Sequence, residues 1–172
     1  FTDTNNHWAK SEIVWAAEKG YFSGYPDGSF RPDEGMTRAM LVQVLYNMAG
    51  RPGYSRAANF ADVPQGVWYY DAVCWAAERG IVTGMGGGRF APDAALTREQ
   101  LAVILWRQLG CPAQPAELPA FTDAASISTW AKEAAAWAAG AELMTGADGA
   151  WNPARPATRA QAAAIFFRMA QK

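Results

Sequence analysis

Thr37-Arg38-Ala39-Met40-Leu41 opens a run that continues through Val42, Val44 and Leu45, and its reading decides the fold. A threonine ahead of an apolar stretch marks a helix start, because its side-chain oxygen can accept from a first-turn amide that has no partner inside the helix. The same start is written twice more, as Thr97-Arg98-Glu99-Gln100-Leu101 and Thr158-Arg159-Ala160-Gln161-Ala162. Gln100 and Gln161 complete a capping box with their threonines; Met40 stands at that place in the first copy, so Thr37 lacks the partner. The helix bodies are apolar on most faces, with Leu41, Val42, Val44 and Leu45, then Leu101, Val103, Ile104 and Leu105, then Ala162, Ala163, Ile165 and Phe166. Helices of that kind belong at the centre of a structure.

Working outward, each start closes a longer pattern. Phe1-Thr2-Asp3, Phe60-Ala61-Asp62 and Phe121-Thr122-Asp123 open it. Two tryptophans seven residues apart follow: Trp8 and Trp15, Trp68 and Trp75, Trp130 and Trp137. Nine residues past the second tryptophan comes Gly24, Gly84 or Gly146. The chain is therefore three copies of a helix-loop-helix module, over 1–49, 60–109 and 121–172. Connectors at 50–59 and 110–120 carry the Gly and Pro signals that stop a helix. The first helix of each copy is expected to run from near the first tryptophan to just before the Gly, on one apolar face. The loops hold turn chemistry such as Pro26-Asp27-Gly28, and Phe30, Phe90 and Trp151 are expected to plug the core beneath them. The fold class is all-α, with the three apolar helices as a central three-helix bundle and three outer lobes.

Of the 172 residues, 51% are hydrophobic and 13% aromatic, enough for a packed core. A net charge of −1 gives no electrostatic footprint for nucleic acid. No apolar run reaches the 18 or so residues of a membrane span. The chain starts directly at Phe1, which suggests a piece cut at a module edge, with any secretion signal removed or further upstream. Cys74 falls where the other copies have Val14 and Ala136, and reads as a small buried hydrophobe; a bridge to Cys111 stays open.

The oddity is the charge on the arginines. Arg38, Arg98 and Arg159 occupy the first helical position, where unsatisfied amides and the macrodipole favour acidic residues. Three such placements suggest an anion held there, since a guanidinium beside free amides receives a carboxylate or phosphate well. Alternatively each arginine pairs internally, for example with the Asp of Phe-x-Asp. If the arginines serve a ligand, removing them should leave the fold intact or slightly more stable. Trp8, Trp68 and Trp130 are candidates for a sugar-stacking wall, whereas Trp15, Trp75 and Trp137 read as core. With His7 the one histidine, a repeated Ser-His-Asp triad is impossible and no zinc signature exists.

These motifs, with Ala16-Ala17-Glu18-Lys19-Gly20 and Gly24-Tyr25-Pro26-Asp27-Gly28, resemble the S-layer homology (SLH) family in its usual three tandem modules. The resemblance implies a pseudo-threefold spindle with grooves between modules and no catalytic activity, cofactor or metal. It implies a secreted, cell-surface anchor whose partner is a secondary cell-wall polysaccharide carrying pyruvate ketals. The module would be monomeric within a larger surface protein, with no nucleic-acid partner and no membrane span. Arg38, Arg98 and Arg159 are the ligand-binding residues so implied, with Asp3, Asp62, Asp123, Trp8, Trp68, Trp130, Gly24, Gly84 and Gly146 beside them. Copy two has Met85-Gly86-Gly87-Gly88 and copy three the shorter Gly146-Ala147-Asp148-Gly149, which makes the groove using Arg38 the expected best. The alternatives are a wall-glycan hydrolase using Asp3, Asp62 or Asp123, and a protein-interaction scaffold.

Overall fold

The computed structural model describes residues 1–113 and 120–172; within the expected connector at 110–120, residues 114–119 lie outside the described residues. Six α-helices follow in order: α1 Lys10–Glu18, α2 Arg38–Met48, α3 Tyr70–Glu78, α4 Arg98–Gln108, α5 Lys132–Gly140 and α6 Arg159–Ala170. Two short 3-10 turns, Ala124–Ser126 and Thr129–Ala131, precede α5. Among the described residues there is no strand or sheet, only isolated bridges, so the class is all-α.

The second helix of each repeat starts where the threonine rule places it. Thr37 accepts from the Met40 amide at 3.2 Å, Thr97 from Gln100 at 3.3 Å and Thr158 from Gln161 at 3.2 Å. Gln100 and Gln161 return the bond, accepting from the threonine amides at 3.2 and 3.3 Å. Met40 cannot, so the first copy has a single cap.

The first helices are shorter than their pattern suggests. Each begins two residues after its first tryptophan and ends at Glu18, Glu78 or Gly140, well before Gly24, Gly84 and Gly146. The stop is a left-handed residue, Gly20 at φ 71°, Gly80 at φ 67° and Glu142 at φ 55°. The next amide then folds back onto the helix, Tyr21 to Ala16, Ile81 to Ala76 and Leu143 to Ala138, each at 2.9 Å.

The described residues form two compact units, 1–95 with 158–172, and 96–157. In the first, α1 packs on α6 and α2 on α3, around buried Ile13, Phe30, Leu41, Leu45, Phe90 and Phe166. In the second, α4 packs on α5 around Leu96, Leu101, Leu105 and Trp151. Each fully buried Leu or Phe of this kind contributes about 1.5–3 kcal/mol. The helix partners come from different repeats. A second helix packs on the first helix of the next repeat, and α6 of the third repeat on α1 of the first.

Candidate functional site

The Phe-x-Asp motif builds the loop from beneath. Asp3 accepts two consecutive amides, Phe30 at 2.8 Å and Arg31 at 2.7 Å. Asp62 does the same for Phe90 and Ala91, both at 2.8 Å, and Asp123 for Trp151 and Asn152, both at 2.7 Å. The second residue of each pair is left-handed, with φ 58° at Arg31, 57° at Ala91 and 58° at Asn152. Such a conformation is costly for a residue with a Cβ, and the paired carboxylate bonds hold it. The amides of Phe30 and Trp151 hold the Asp3 and Asp123 carboxyls below the ordinary aspartate range. At Asp62 burial pushes upward, but the amides of Phe90 and Ala91 prevail. Phe30, Phe90 and Trp151 are fully buried, the plugs their spacing predicts.

Gly24, Gly84 and Gly146 serve the same packing. A Cβ on Gly84 would lie 2.8 Å from the Arg89 carbonyl oxygen and 3.0 Å from the Phe60 ring. A Cβ on Gly24 would collide with the Phe1 ring, and one on Gly146 with the Phe121 ring. The opening aromatic of each repeat thus lies against its glycine.

The arginines are buried, and each reaches into the loop of another repeat. Arg38 donates Nε to the Phe90 carbonyl at 2.9 Å and Nη2 to that of Thr83 at 3.0 Å. Arg98 does so to Trp151 at 2.9 Å and Thr145 at 3.1 Å. Arg159 donates to Phe30 at 2.8 Å and Ser23 at 2.9 Å. Each guanidinium also lies over the plug ring, Arg159 at 4.4 Å from the Phe30 centroid. The expected free amides are not free. Those of Arg159 and Ala160 donate to Glu34 at 3.0 Å and Pro32 at 2.9 Å, and the other two helices repeat this with Ala94 and Pro92, and with Arg155 and Pro153. Carbonyls of a neighbouring repeat therefore satisfy the helix start that sequence reasoning left for an anion.

The alternative of pairing with the Phe-x-Asp carboxylate is also not what is seen. None of the three arginines makes an ion pair among the described residues. Burial lowers the pKa of all three, the penalty of holding a cation away from water without a close countercharge.

One of these cations lines a groove. In the first unit, Arg159 borders a cavity of about 290 Å³ together with Tyr21, Phe22, Ser23, Gly24, Tyr25, Met40, Gln43, Val44, Asn47 and Trp68. Three candidate residues, Arg159, Gly24 and Trp68, thus meet around one space although they belong to three different repeats. Trp68 is 60% exposed. Tyr25 is flanked by Arg31 at 3.9 Å and Arg159 at 5.1 Å from its centroid.

Arg38, expected to own the best groove, instead contacts the glycine-rich loop of repeat two, and the intact loop of repeat one is served by Arg159. The reason is the handover between repeats, which carries each arginine away from its own loop. Trp8 and Trp130 are exposed like Trp68. Trp75 and Trp137 are buried as core, while Trp15 is half-buried between Tyr21 and Phe167. Cys74 is buried and accepts the Ala58 amide at 3.3 Å; Cys111 is exposed. Among the described residues no helix is long and apolar enough to cross a membrane, and no His, Cys, Asp or Glu cluster could hold a metal. Sequence reasoning missed Met40, Gln43, Val44 and Asn47. Their signal was two amide side chains four residues apart on an otherwise apolar helix.

The sequence pattern of the S-layer homology domain matches the chain at residues 1–39, 59–102 and 120–163, and the chain belongs to that family. It is 30% identical over 177 residues to an amylopullulanase of Thermoanaerobacterium thermosulfurigenes, covering 100% of this chain and 10% of that protein. It is 30% identical over 165 residues to a surface-layer 125 kDa protein of Lysinibacillus sphaericus, covering 94% and 14%. To a cellulosome-anchoring protein of Acetivibrio thermocellus it is 27% identical over 132 residues, covering 74% and 29%. The chain thus spans less than a third of each of these curated relatives. It is a non-catalytic cell-surface anchoring module with its place at the cell wall or surface, and the enzymes among its relatives match it over a small part of their length.

Proposed function

We propose that this anchoring module binds an anionic secondary cell-wall polysaccharide, with a pyruvate ketal as its anchor point, in the groove bordered by Arg159. The observation that carries the reading is a buried guanidinium with no carboxylate partner on the wall of an open cavity. Its Nε and Nη2 are held by the Phe30 and Ser23 carbonyls, which fixes its plane and leaves Nη1 for a ligand. A carboxylate there would supply the missing countercharge, and such charge-assisted bonds are the strong ones. Trp68 offers a face for the sugar ring, and Met40 and Val44 an apolar wall for the ketal methyl. The Asp3, Asp62 and Asp123 carboxylates each hold two amides, so the hydrolase alternative finds them committed elsewhere.

The three repeats, 1–49, 60–109 and 121–172, act as repeated elements of a monomeric module in a larger surface protein. Arg159 anchors the strongest site, and fewer than three strong sites are expected, since repeats two and three have altered loops. Grooves engaged together on a polymer gain avidity of about 10² or more over one epitope. The test is adsorption to protein-free wall polysaccharide before and after mild acid removes its ketals. Loss of most binding after acid supports the reading; equal binding to both preparations excludes the ketal, and no binding to either points to a protein partner.

A further inference from the structure

The groove has a second polar wall, on α2, whose hydrogen bonds leave one specific atom open. Asn47 donates Nδ2 to the Tyr21 carbonyl at 3.1 Å and accepts the Arg51 Nε at 2.9 Å on Oδ1. A carbonyl can only accept and a guanidinium can only donate, so these two contacts fix which way the Asn47 amide points. Asn47 Oδ1 then takes a further donor, Gln43 Nε2, at 3.0 Å. Gln43 must present its amide nitrogen to Asn47, and its Oε1 is left as an acceptor. That oxygen has no partner among the described residues and is not sealed from solvent, on a side chain that lines the groove.

We propose that Gln43 Oε1 is a specificity-determining acceptor that reads a hydroxyl or amide N–H of the sugar whose carboxylate sits at Arg159. The inference rests on the anion reading of Arg159 and deepens it. The groove pairs a donor wall at Arg159 with an acceptor wall at Gln43, so a simple carboxylate satisfies only half of it. A ketal-bearing sugar with a free hydroxyl or amide beside the ketal satisfies both. This acceptor belongs to repeat one alone. The positions equivalent to Gln43 and Asn47 hold Val103 and Arg107 in repeat two, and Ala164 and Arg168 in repeat three. Met40 and Val44, the other groove residues of α2, have no such polar atoms. An acceptor that a bound ligand covers without pairing penalises ligands that lack the donor, which is how a polar site rejects near-isosteres.

The test uses methyl hexosides with a pyruvate ketal bridging O4 and O6: the parent and its 2-deoxy and 3-deoxy counterparts. Each is titrated into the whole chain and into Gln43→Val, with the Trp68 indole N–H resonance reporting on this groove. Val and Ala occupy the equivalent helix position in the other repeats, so Gln43→Ala serves as the second variant if Gln43→Val melts early. One of the two deoxy ketals should bind the natural chain about tenfold more weakly than the parent, as the loss of one hydrogen bond implies. The parent should weaken about tenfold on Gln43→Val, and the deoxy penalty should vanish there. Equal binding of all three ketals to the natural chain, or no change on Gln43→Val and Gln43→Ala, overturns the acceptor while leaving the Arg159 reading in place. Absence of any ketal binding to the natural chain removes the Arg159 reading, and this inference with it.

Discussion

Arg159 donates its Nε to the carbonyl oxygen of Phe30 at 2.8 Å, across a sequence separation of 129. The third repeat thereby fastens the loop of the first, and Arg38 and Arg98 fasten the loops of the second and third in the same way. One residue type does two jobs. Two donors build the loop, and the cation they position borders the cavity that the loop helps to line.

The arginines therefore contribute to stability, against what their place at a helix N-terminus suggests. Arg38→Ala and Arg159→Ala should each destabilise the fold by about 2–3 kcal/mol, the loss of charge-assisted bonds to loop carbonyls. Urea unfolding followed by tryptophan fluorescence measures this. Variants as stable as the natural chain would mean that the carbonyl bonds contribute nothing net.

Acid should loosen all three loops together. The carboxyls of Asp3, Asp62 and Asp123 lie below their ordinary value of 3.8 in the folded chain. A depressed carboxyl stabilises the fold above its unfolded pKa, and that stability is lost as pH falls through the folded value. Unfolding midpoints should thus be flat from pH 7 to about 5 and fall below 3.8. Asp62→Asn should flatten part of the fall while lowering stability at pH 7. A midpoint at pH 3 equal to that at pH 7 would show the clamps to be energetically idle.

Much of this was legible in the chain. Thr97 with Gln100, and Thr158 with Gln161, announced capping boxes because both ends of the motif lie within four residues. Phe30, Phe90 and Trp151 announced plugs because an aromatic beside a turn has few other uses in a small all-α fold. The handover between repeats was not legible, since no local pattern says which repeat's loop an arginine will meet. For the same reason the intact loop of repeat one points, in sequence, to its own Arg38 and not to Arg159. Nothing in the sequence singles out Gln43 and Asn47 as groove residues, two amides beside Leu41, Val42, Val44 and Leu45. The sequence shows the amides, but only packing against Tyr21 gives them a direction.

Glu142 is the one residue with a Cβ at a helix stop that the other repeats fill with Gly20 and Gly80. Nothing lies within 4 Å of a Cβ at either glycine, so the demand there is purely conformational. Glu142→Gly should stabilise the chain by about 0.5–1 kcal/mol, the relief of left-handed strain less the entropy of a more flexible unfolded chain. Thermal melts at neutral pH check this. A lower melting temperature would mean that the Glu142 side chain gains more than its backbone loses.

Gly24→Ala places a methyl against the Phe1 ring and 2.9 Å from the Ser29 carbonyl oxygen. Backbone cannot yield as a flexible side chain does, so a cost of about 1–3 kcal/mol is expected, with a distorted groove. Gly53→Ala, with nothing within 4 Å, is the control that should leave the melt nearly unchanged. Equal stability of the two variants would remove the packing explanation for the repeated glycine.

The central claim is that Arg159 receives a ligand carboxylate in the groove on α2. The most direct measurement is a crystal structure of the chain with a short pyruvylated fragment of wall polysaccharide. The account predicts the ketal carboxylate about 2.7–2.9 Å from the Arg159 guanidinium, as in other charge-assisted pairs, with the sugar ring against Trp68. A fragment bound with its carboxylate turned to solvent, or seated away from Arg159 altogether, would contradict it.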